Sequence, residues 1–326
     1  MDSASHLLLG FTLAGASLAI PGVAADTTLQ HALIAASMLG SHAPDLDAAA
    51  RLKGQTTYLR VHRGITHSLP APFAWAVVIG WPMAWLFGVM DHLGLLLLWT
   101  LLAVCFHITL DLFNGYGVQC LRPFTRRWLH LDSLCLFDPY IFGSHLLCGL
   151  IWLTGLVSAS IMGPVFVILY GLTLIYMGWR LSERLRWQRK LQEALGGRTR
   201  VSLLPLMSGR AWQFVAEGPD CYESGKISSS GIVREAIISK TSSLSGTEPA
   251  IATMQTDGVR AFLAFATNVH VQVQERLDGY EVTWSDVRFW SNDKLPFSAA
   301  VTLDRNLNVQ STRLGWDKKT WEPPYV

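Results

Sequence analysis

The sequence predicts a membrane all-α bundle of about four long transmembrane helices plus a short N-terminal helical hairpin, followed by a small antiparallel β domain. Composition, the distribution of charge and a change of periodicity carry that expectation. Of 326 residues 50% are hydrophobic and 15% charged, and the mean hydropathy is +0.29, too apolar for an ordinary soluble chain of this size. Residues 1–180 hold 8 Lys/Arg, 8 Asp, no Glu and nine of the ten histidines, whereas residues 201–326 hold 12 basic and 14 acidic residues. Past residue 200 the apolar spacing turns from helical to alternating. The boundaries expected are 1–180 for the helical membrane domain with a His/Asp metal site, 181–200 for a basic linker helix and 201–326 for a soluble β-rich domain.

Taken in order, Leu7–Ile20 is apolar but only fourteen residues long and ends at Pro21-Gly22, and Ala32–Gly40 is shorter still. Both fall below the ~20 residues a span requires, so they read as a hairpin tucked against the bundle. Pro70–Met90, Leu93–Leu112, Tyr140–Ser158 and Ile161–Trp179 are the four expected spans. The connections on one side carry Arg51, Lys53, Arg60 and Arg63; Arg122, Arg126 and Arg127; and Arg180, Arg184, Arg186, Arg189, Lys190, Arg198 and Arg200. The opposite connections, around Asp91-His92 and Ser158–Gly163, carry no basic residue. By the positive-inside rule the basic loops and the C-terminal domain are cytoplasmic.

Leu181–Leu195 reads as a basic amphipathic helix stopped by Gly196-Gly197. Val269–Gln274 and Tyr280–Trp284 read as strands joined across Asp278-Gly279, a favoured hairpin turn. Further strands are expected at Ala211–Ala216, Arg260–Ala266, Phe297–Leu303 and Val309–Leu314, with Gly225–Gly231 as a Ser/Gly-rich loop. The net charge of +2 argues against nucleic acid as a partner. Five scattered cysteines without a CxxC pair argue against a disulfide framework or a thiolate zinc site.

Three polar clusters interrupt the apolar half, all on the predicted cytoplasmic side. Ser41-His42-Ala43-Pro44-Asp45-Leu46-Asp47 places two carboxylates in the turn after a helix. His62-Arg63-Gly64-Ile65-Thr66-His67-Ser68 lets two imidazoles converge if Gly64 bends the backbone. His107, Asp111 and Asn114 fall at i, i+4 and i+7 on one helix face. Buried imidazoles and carboxylates are costly unless partnered, and a divalent cation supplies the partner. The donor set of Asp45, Asp47, His62, His67, His107, Asp111 and His6, the last as ligand or as support, suits zinc or manganese. Arg63 and Asn114 would orient ligands or substrate, and water activated by the metal would act as nucleophile on a phosphoester. His145 reads as a membrane-interface residue.

The strings Asp2–His6 with its apolar run, Pro44–Asp47, His62–Ser68 and His107–Gly117 together resemble the predicted membrane-bound metal-dependent hydrolases. This family is also called LexA-binding, inner-membrane-associated hydrolases (YdjM-like). The resemblance covers about residues 1–180, and Val282-x-Trp284-x-Asp286-x-Arg288 resembles the C-terminal extension of one branch of it. It implies a bacterial inner-membrane, multi-pass hydrolase whose partners are membrane lipid and a phosphorylated small molecule or phospholipid substrate. The His107/Asp111 helix is more remotely similar to zinc-dependent phospholipases C, in which an upstream Asp (Asp45 or Asp47) and His (His62 or His67) would complete the metal shell. The later HxxxE helix of that group is missing, because Gly149 stands four residues after His145, so one or two metal ions are expected and not three. The alternative is a non-catalytic inner-membrane protein with a structural metal and a β domain that binds a protein partner.

Overall fold

The computed structural model describes residues 1–197, 199–240 and 248–318; Arg198, counted above among the basic residues, lies outside them. The chain forms two compact units, one of residues 1–48 and 62–182, the other of residues 49–61 and 183–326.

The first unit is helical. Helices α1 (Ser3–Ala16) and α2 (Thr27–His42) form the expected hairpin. The Asp2 carboxylate caps α1 by accepting from the Ser5 amide, and the Asp26 carboxylate caps α2 through the Leu29 amide. After a 3-10 stretch over Ala43–Lys53 and the short helix α3 (Gln55–Val61, in the second unit) come α4 (Ala71–Leu86) and α5 (Leu93–Phe113). An irregular connection leads to α6 (Pro139–Thr154) and α7 (Ala159–Ala194). Among the described residues, two helices are long and apolar enough to cross a membrane: α5 with the turn before it, Met90–Phe113, and α7. A third follows only if α4 is counted with the helical segment before it.

Four long spans are therefore not what forms. Helices α4 and α6 have 16 residues each, about 24 Å of helix against a hydrocarbon core of ~30 Å. Pro70 and the Asp138-Pro139 step set the starts of these helices. Gly155, left-handed at φ 66, stops α6. The predicted linker helix is not separate either, since Leu181–Ala194 continues α7 without a break until Gly196 and Gly197 turn left-handed. The core of the first unit gathers Leu18, Leu29, Ala32, Leu33, Leu96 and Phe166. At Gly10 the hairpin helices come so close that a Cβ would sit 2.8 Å from both Ser37 O and Ser41 Cβ, the kind of approach small residues permit between membrane helices. His145, expected at the membrane interface, is instead fully buried, bonded through Nδ1 to Thr12 (2.8 Å) and through Nε2 to Thr173 (3.0 Å).

The second unit holds two antiparallel four-stranded sheets in simple sequential order. The first comprises β1 (Arg200–Pro205), β2 (Ala211–Glu217), β3 (Cys221–Ser228) and β4 (Gly231–Ser239). Helices α8 (Glu248–Thr253) and α9 (Asp257–Phe265) precede the second, of β5 (Val269–Arg276), β6 (Gly279–Asp286), β7 (Phe297–Asp304) and β8 (Val309–Trp316). The hairpin expected across Asp278-Gly279 forms, but its two-residue turn is Leu277-Asp278: Gly279 already opens β6 opposite Arg276, and Val273 faces Val282. Two expectations fail. Arg260–Ala266 lies in α9 and its cap, because Val259, Phe262 and Phe265 bury one helical face while the Thr256 hydroxyl caps the Val259 amide. The supposed Ser/Gly loop at 225–231 is the close of β3 and a two-residue turn into β4. In the Val282–Arg288 string, Arg288 and Asp286 form a buried ion pair, with Nη2 2.8 Å from Oδ2, and Trp284 Nε1 donates to Thr253 Oγ1. That string is structural.

Candidate metal centre

All the candidate residues lie in the helical unit. His107 and Asp111 sit one turn apart near the C-terminal end of α5, both fully buried. Asp45 enters from the 3-10 turn that follows α2, and His67 from the turn before α4. Donor atoms of Asp45, His67, His107 and Asp111 lie within 4.8 Å of one another.

Their spacing is informative. His67 Nε2 is 3.2 Å from His107 Nε2. Both nitrogens are 3.5 Å from Asp111 Oδ2, and they stand 3.8 and 3.6 Å from Asp45 Oδ1. Donors at ~2.1 Å around a tetrahedral ion stand ~3.4 Å apart, so five of the six edges already have tetrahedral length. Asp45 Oδ1 and Asp111 Oδ2 are buried without any hydrogen-bond partner, which is costly for carboxylates unless a cation sits between them.

The imidazole tautomers are set from behind. His107 Nδ1 lies 2.7 Å from the Ser41 carbonyl; a carbonyl only accepts, so Nδ1 carries the proton and Nε2 of the neutral ring offers a lone pair. The Thr66 hydroxyl donates to Asp47 Oδ2, which leaves its oxygen to accept from His67 Nδ1 at 3.0 Å. In the neutral rings two lone pairs then face each other across 3.2 Å, an arrangement that calls for a cation and not for a hydrogen bond.

Asp47 and His62 adjoin this cage. Donor atoms of Asp45, Asp47 and His62 also lie within 4.8 Å of one another, but His62 Nδ1 is hydrogen-bonded to Asp47 Oδ1 at 2.5 Å, and the Arg63 amide donates to Asp47 Oδ2 at 3.1 Å. Burial pushes the Asp47 carboxyl up, yet the hydrogen bonds from His62 and Thr66 and the nearby imidazoles outweigh it and hold the group below its usual range. In this state Asp47 is the acceptor that shapes the His62–His67 turn. The left-handed residue there is Arg63, at φ 59, and not Gly64, at φ −96. That conformation costs a non-glycine residue roughly 1 kcal/mol or more and carries the guanidinium inward, where Nη2 is 2.9 Å from Asp111 Oδ1 while Nε and Nη1 have no partner.

His6 is fully buried and stacked on His107, ring centroids 3.7 Å apart. Its Nε2 is 3.4 Å from Asp111 Oδ1, the oxygen that also accepts from the Met1 amino group and Arg63. His6 thus sits beside the four-donor set and not within it. Asn114 is buried but tied to the backbone, its Oδ1 accepting from the Tyr116 amide at 3.0 Å and its Nδ2 donating to Leu134 O at 3.4 Å. It holds the connection after α5 and stands outside both groups of donors. Sequence reasoning passed over Ser41 and Thr66 as contributors, although both stand inside the strings it singled out.

The family described as YdjM inner membrane protein matches residues 1–185. The family described as YfhP C-terminal alpha/beta plait domain matches residues 249–322. The chain is 34% identical over 317 residues to the Bacillus subtilis (strain 168) protein named "Uncharacterized protein YfhP", a match covering 97% of this chain and 95% of that protein. No solved structure matches.

Proposed function

From the premise that the chain belongs to the YdjM inner membrane protein family, we propose that it is a bacterial membrane-bound, metal-dependent hydrolase of a phosphoester. One observation carries this reading: four donors from three separate stretches stand at tetrahedral spacing with two carboxylate oxygens left unpartnered. Asp45, His67, His107 and Asp111 hold the ion, zinc or manganese by their nitrogen and oxygen chemistry. Such an ion polarises a phosphoryl oxygen and makes water acidic enough to attack at neutral pH. The chain's own residues do the rest. Ser41 and Thr66 keep the Nε2 lone pairs of His107 and His67 aimed at the ion. Arg63 offers the unpartnered N–H groups of Nε and Nη1 to a phosphate oxygen, and Asp47 holds His62 by its Nδ1 at the rim. The protein spans the membrane several times, with the basic connections and the C-terminal unit on the cytoplasmic side.

A structural metal ion is the second reading, favoured by the fact that four protein donors close a tetrahedral shell. Arg63 speaks for chemistry. Its Nη2 holds Asp111, which a structural site would also use, but the buried Nε and Nη1 have no hydrogen-bond partner, which costs stability unless a further anion is bound. Purified protein is expected to carry about one equivalent of zinc or manganese, lost in His107→Ala combined with Asp111→Asn, with phosphoester turnover lost alongside. Full occupancy in that double variant would refute the site. Occupancy without turnover on a broad panel of phosphomonoesters and phosphodiesters would leave the structural reading standing alone.

A further inference from the structure

Two segments that border the cluster have their polarity turned inside out. Before α4, Arg63, His67 and Ser68 are buried, whereas Ile65 is 69% and Leu69 53% exposed. After α5, Gln119 is buried, whereas Leu121 is 43% and Phe124 82% exposed. The two segments are tied together: the Gln119 amide donates to Arg63 O at 3.0 Å and the Leu69 amide to Arg122 O at 3.3 Å. Ile65, Leu69, Leu121 and Phe124 therefore belong to one lip.

A connection that faces water turns its polar side chains outward. This one does the reverse, which is the pattern of a surface facing lipid. It follows α5, one of the two helices long and apolar enough to span among the described residues, and the end of a spanning helix falls near the headgroup layer. The same turn carries Arg122 and the exposed Arg126 and Arg127, which attract anionic headgroups. Behind the lip, Arg63 holds Nε and Nη1 without partners, and the buried Gln119 Oε1 is also unpartnered.

We propose that the substrate is a phospholipid of the bilayer, its phosphate drawn from the headgroup layer across this lip to Arg63 while its acyl chains stay in the membrane beside Ile65, Leu69, Leu121 and Phe124. The proposal rests on the hydrolase reading above and selects the membrane over solution as the source of the phosphoester. In the reaction the oxygen of water bonds to phosphorus, the ester P–O bond breaks, and the proton of water ends on the leaving alcohol.

The full-length protein, loaded with zinc or manganese in nanodiscs of phosphatidylglycerol and phosphatidylethanolamine, is compared with Ile65→Asp/Phe124→Asp. Lipid hydrolysis is expected to fall at least about tenfold and hydrolysis of soluble bis-p-nitrophenyl phosphate to stay within about twofold, with metal content unchanged. An equal fall on both substrates, or no fall on lipid, overturns the proposal. A second measurement does not depend on turnover. Phe124→Cys, made with the five native cysteines replaced by serine, carries an environment-sensitive fluorophore. Quenching by brominated lipid and not by aqueous iodide is expected, and the opposite result overturns the lip. If metal-loaded wild type turns over neither substrate, the hydrolase reading falls and the lipid substrate with it, while the quenching still decides where the lip lies.

Discussion

The two nitrogens of His107 are set as the proposed metal site requires. Nδ1 spends its proton on the Ser41 carbonyl, and Nε2 is thereby left as a donor facing His67, Asp45 and Asp111. His67 relies on a longer relay, Asp47 accepting from Thr66 and Thr66 from His67. Groups that orient a ligand in this way are worth about 10–100-fold in metal affinity. Thr66→Val keeps the volume and removes the relay, so chelator competition is expected to show affinity lowered by about that factor, with Thr66→Ser restoring it. A Thr66→Val protein that binds as tightly as wild type would show that His67 needs no such support. Cys135 makes a separate point about burial. It lies outside the spans, and burial, with Asp138 adding to it and Arg180 opposing, pushes its thiol up to about 12. At pH 8 only about one molecule in ten thousand then carries a thiolate. Cys135 should resist iodoacetamide in the folded protein and react once denatured, as peptide mass spectrometry would read directly.

At the scale of elements, the crossing of α1 and α2 couples the hairpin to the cluster. Ser41 donates its hydroxyl to the His6 carbonyl at 2.5 Å and lends its own carbonyl to His107, so a change in helix spacing reaches two imidazoles at once. Gly10→Val would put a branched side chain against Ser37 and Ser41. Overpacking of this kind costs ~1–3 kcal/mol, and both a lower melting temperature and weaker metal retention are expected. Loss of stability with metal affinity intact would mean that the crossing does not govern the site. The irregular connection after α5 needs Gly117, left-handed at φ 70 and pressed against the Leu129 carbonyl. The shortness of α4 and α6 belongs to this scale too. Hydropathy alone marks apolar stretches, but proline at the N-terminal ends and a left-handed Gly155 set where the hydrogen-bonded helix starts and stops.

Across the whole molecule, every donor of the candidate centre falls in one compact unit, although the residues span positions 45 to 111. The proposed orientation rests on the asymmetry of basic residues, and under it a C-terminal fluorescent protein is expected to glow where an alkaline phosphatase fusion at the same position stays inactive. The reverse pattern would invert the topology and place the cluster on the outer face.

Much of this was legible in the sequence. The apolar half, the alternating half, the presence of the β5–β6 hairpin (though not its exact turn residues) and the convergence of Asp45, His67, His107 and Asp111 all follow from composition, period and the cost of burying polar groups. Those are local or strongly patterned signals, and they survive folding because nothing outweighs them. Only the tertiary structure groups the candidates, with Asp45, His67, His107 and Asp111 in one set of donors and Asp45, Asp47 and His62 in a second. His6 and His107 stack, Asp47 is committed to His62 and Thr66, and Asn114 is committed to the backbone. It also decided that Arg260–Phe265 is helical and that two of the expected spans stop at sixteen residues. The physical reason is common to these cases: each depends on distances of a few ångströms between groups far apart along the chain. Spacing in the sequence constrains such distances only within a single helix turn, as for His107 and Asp111.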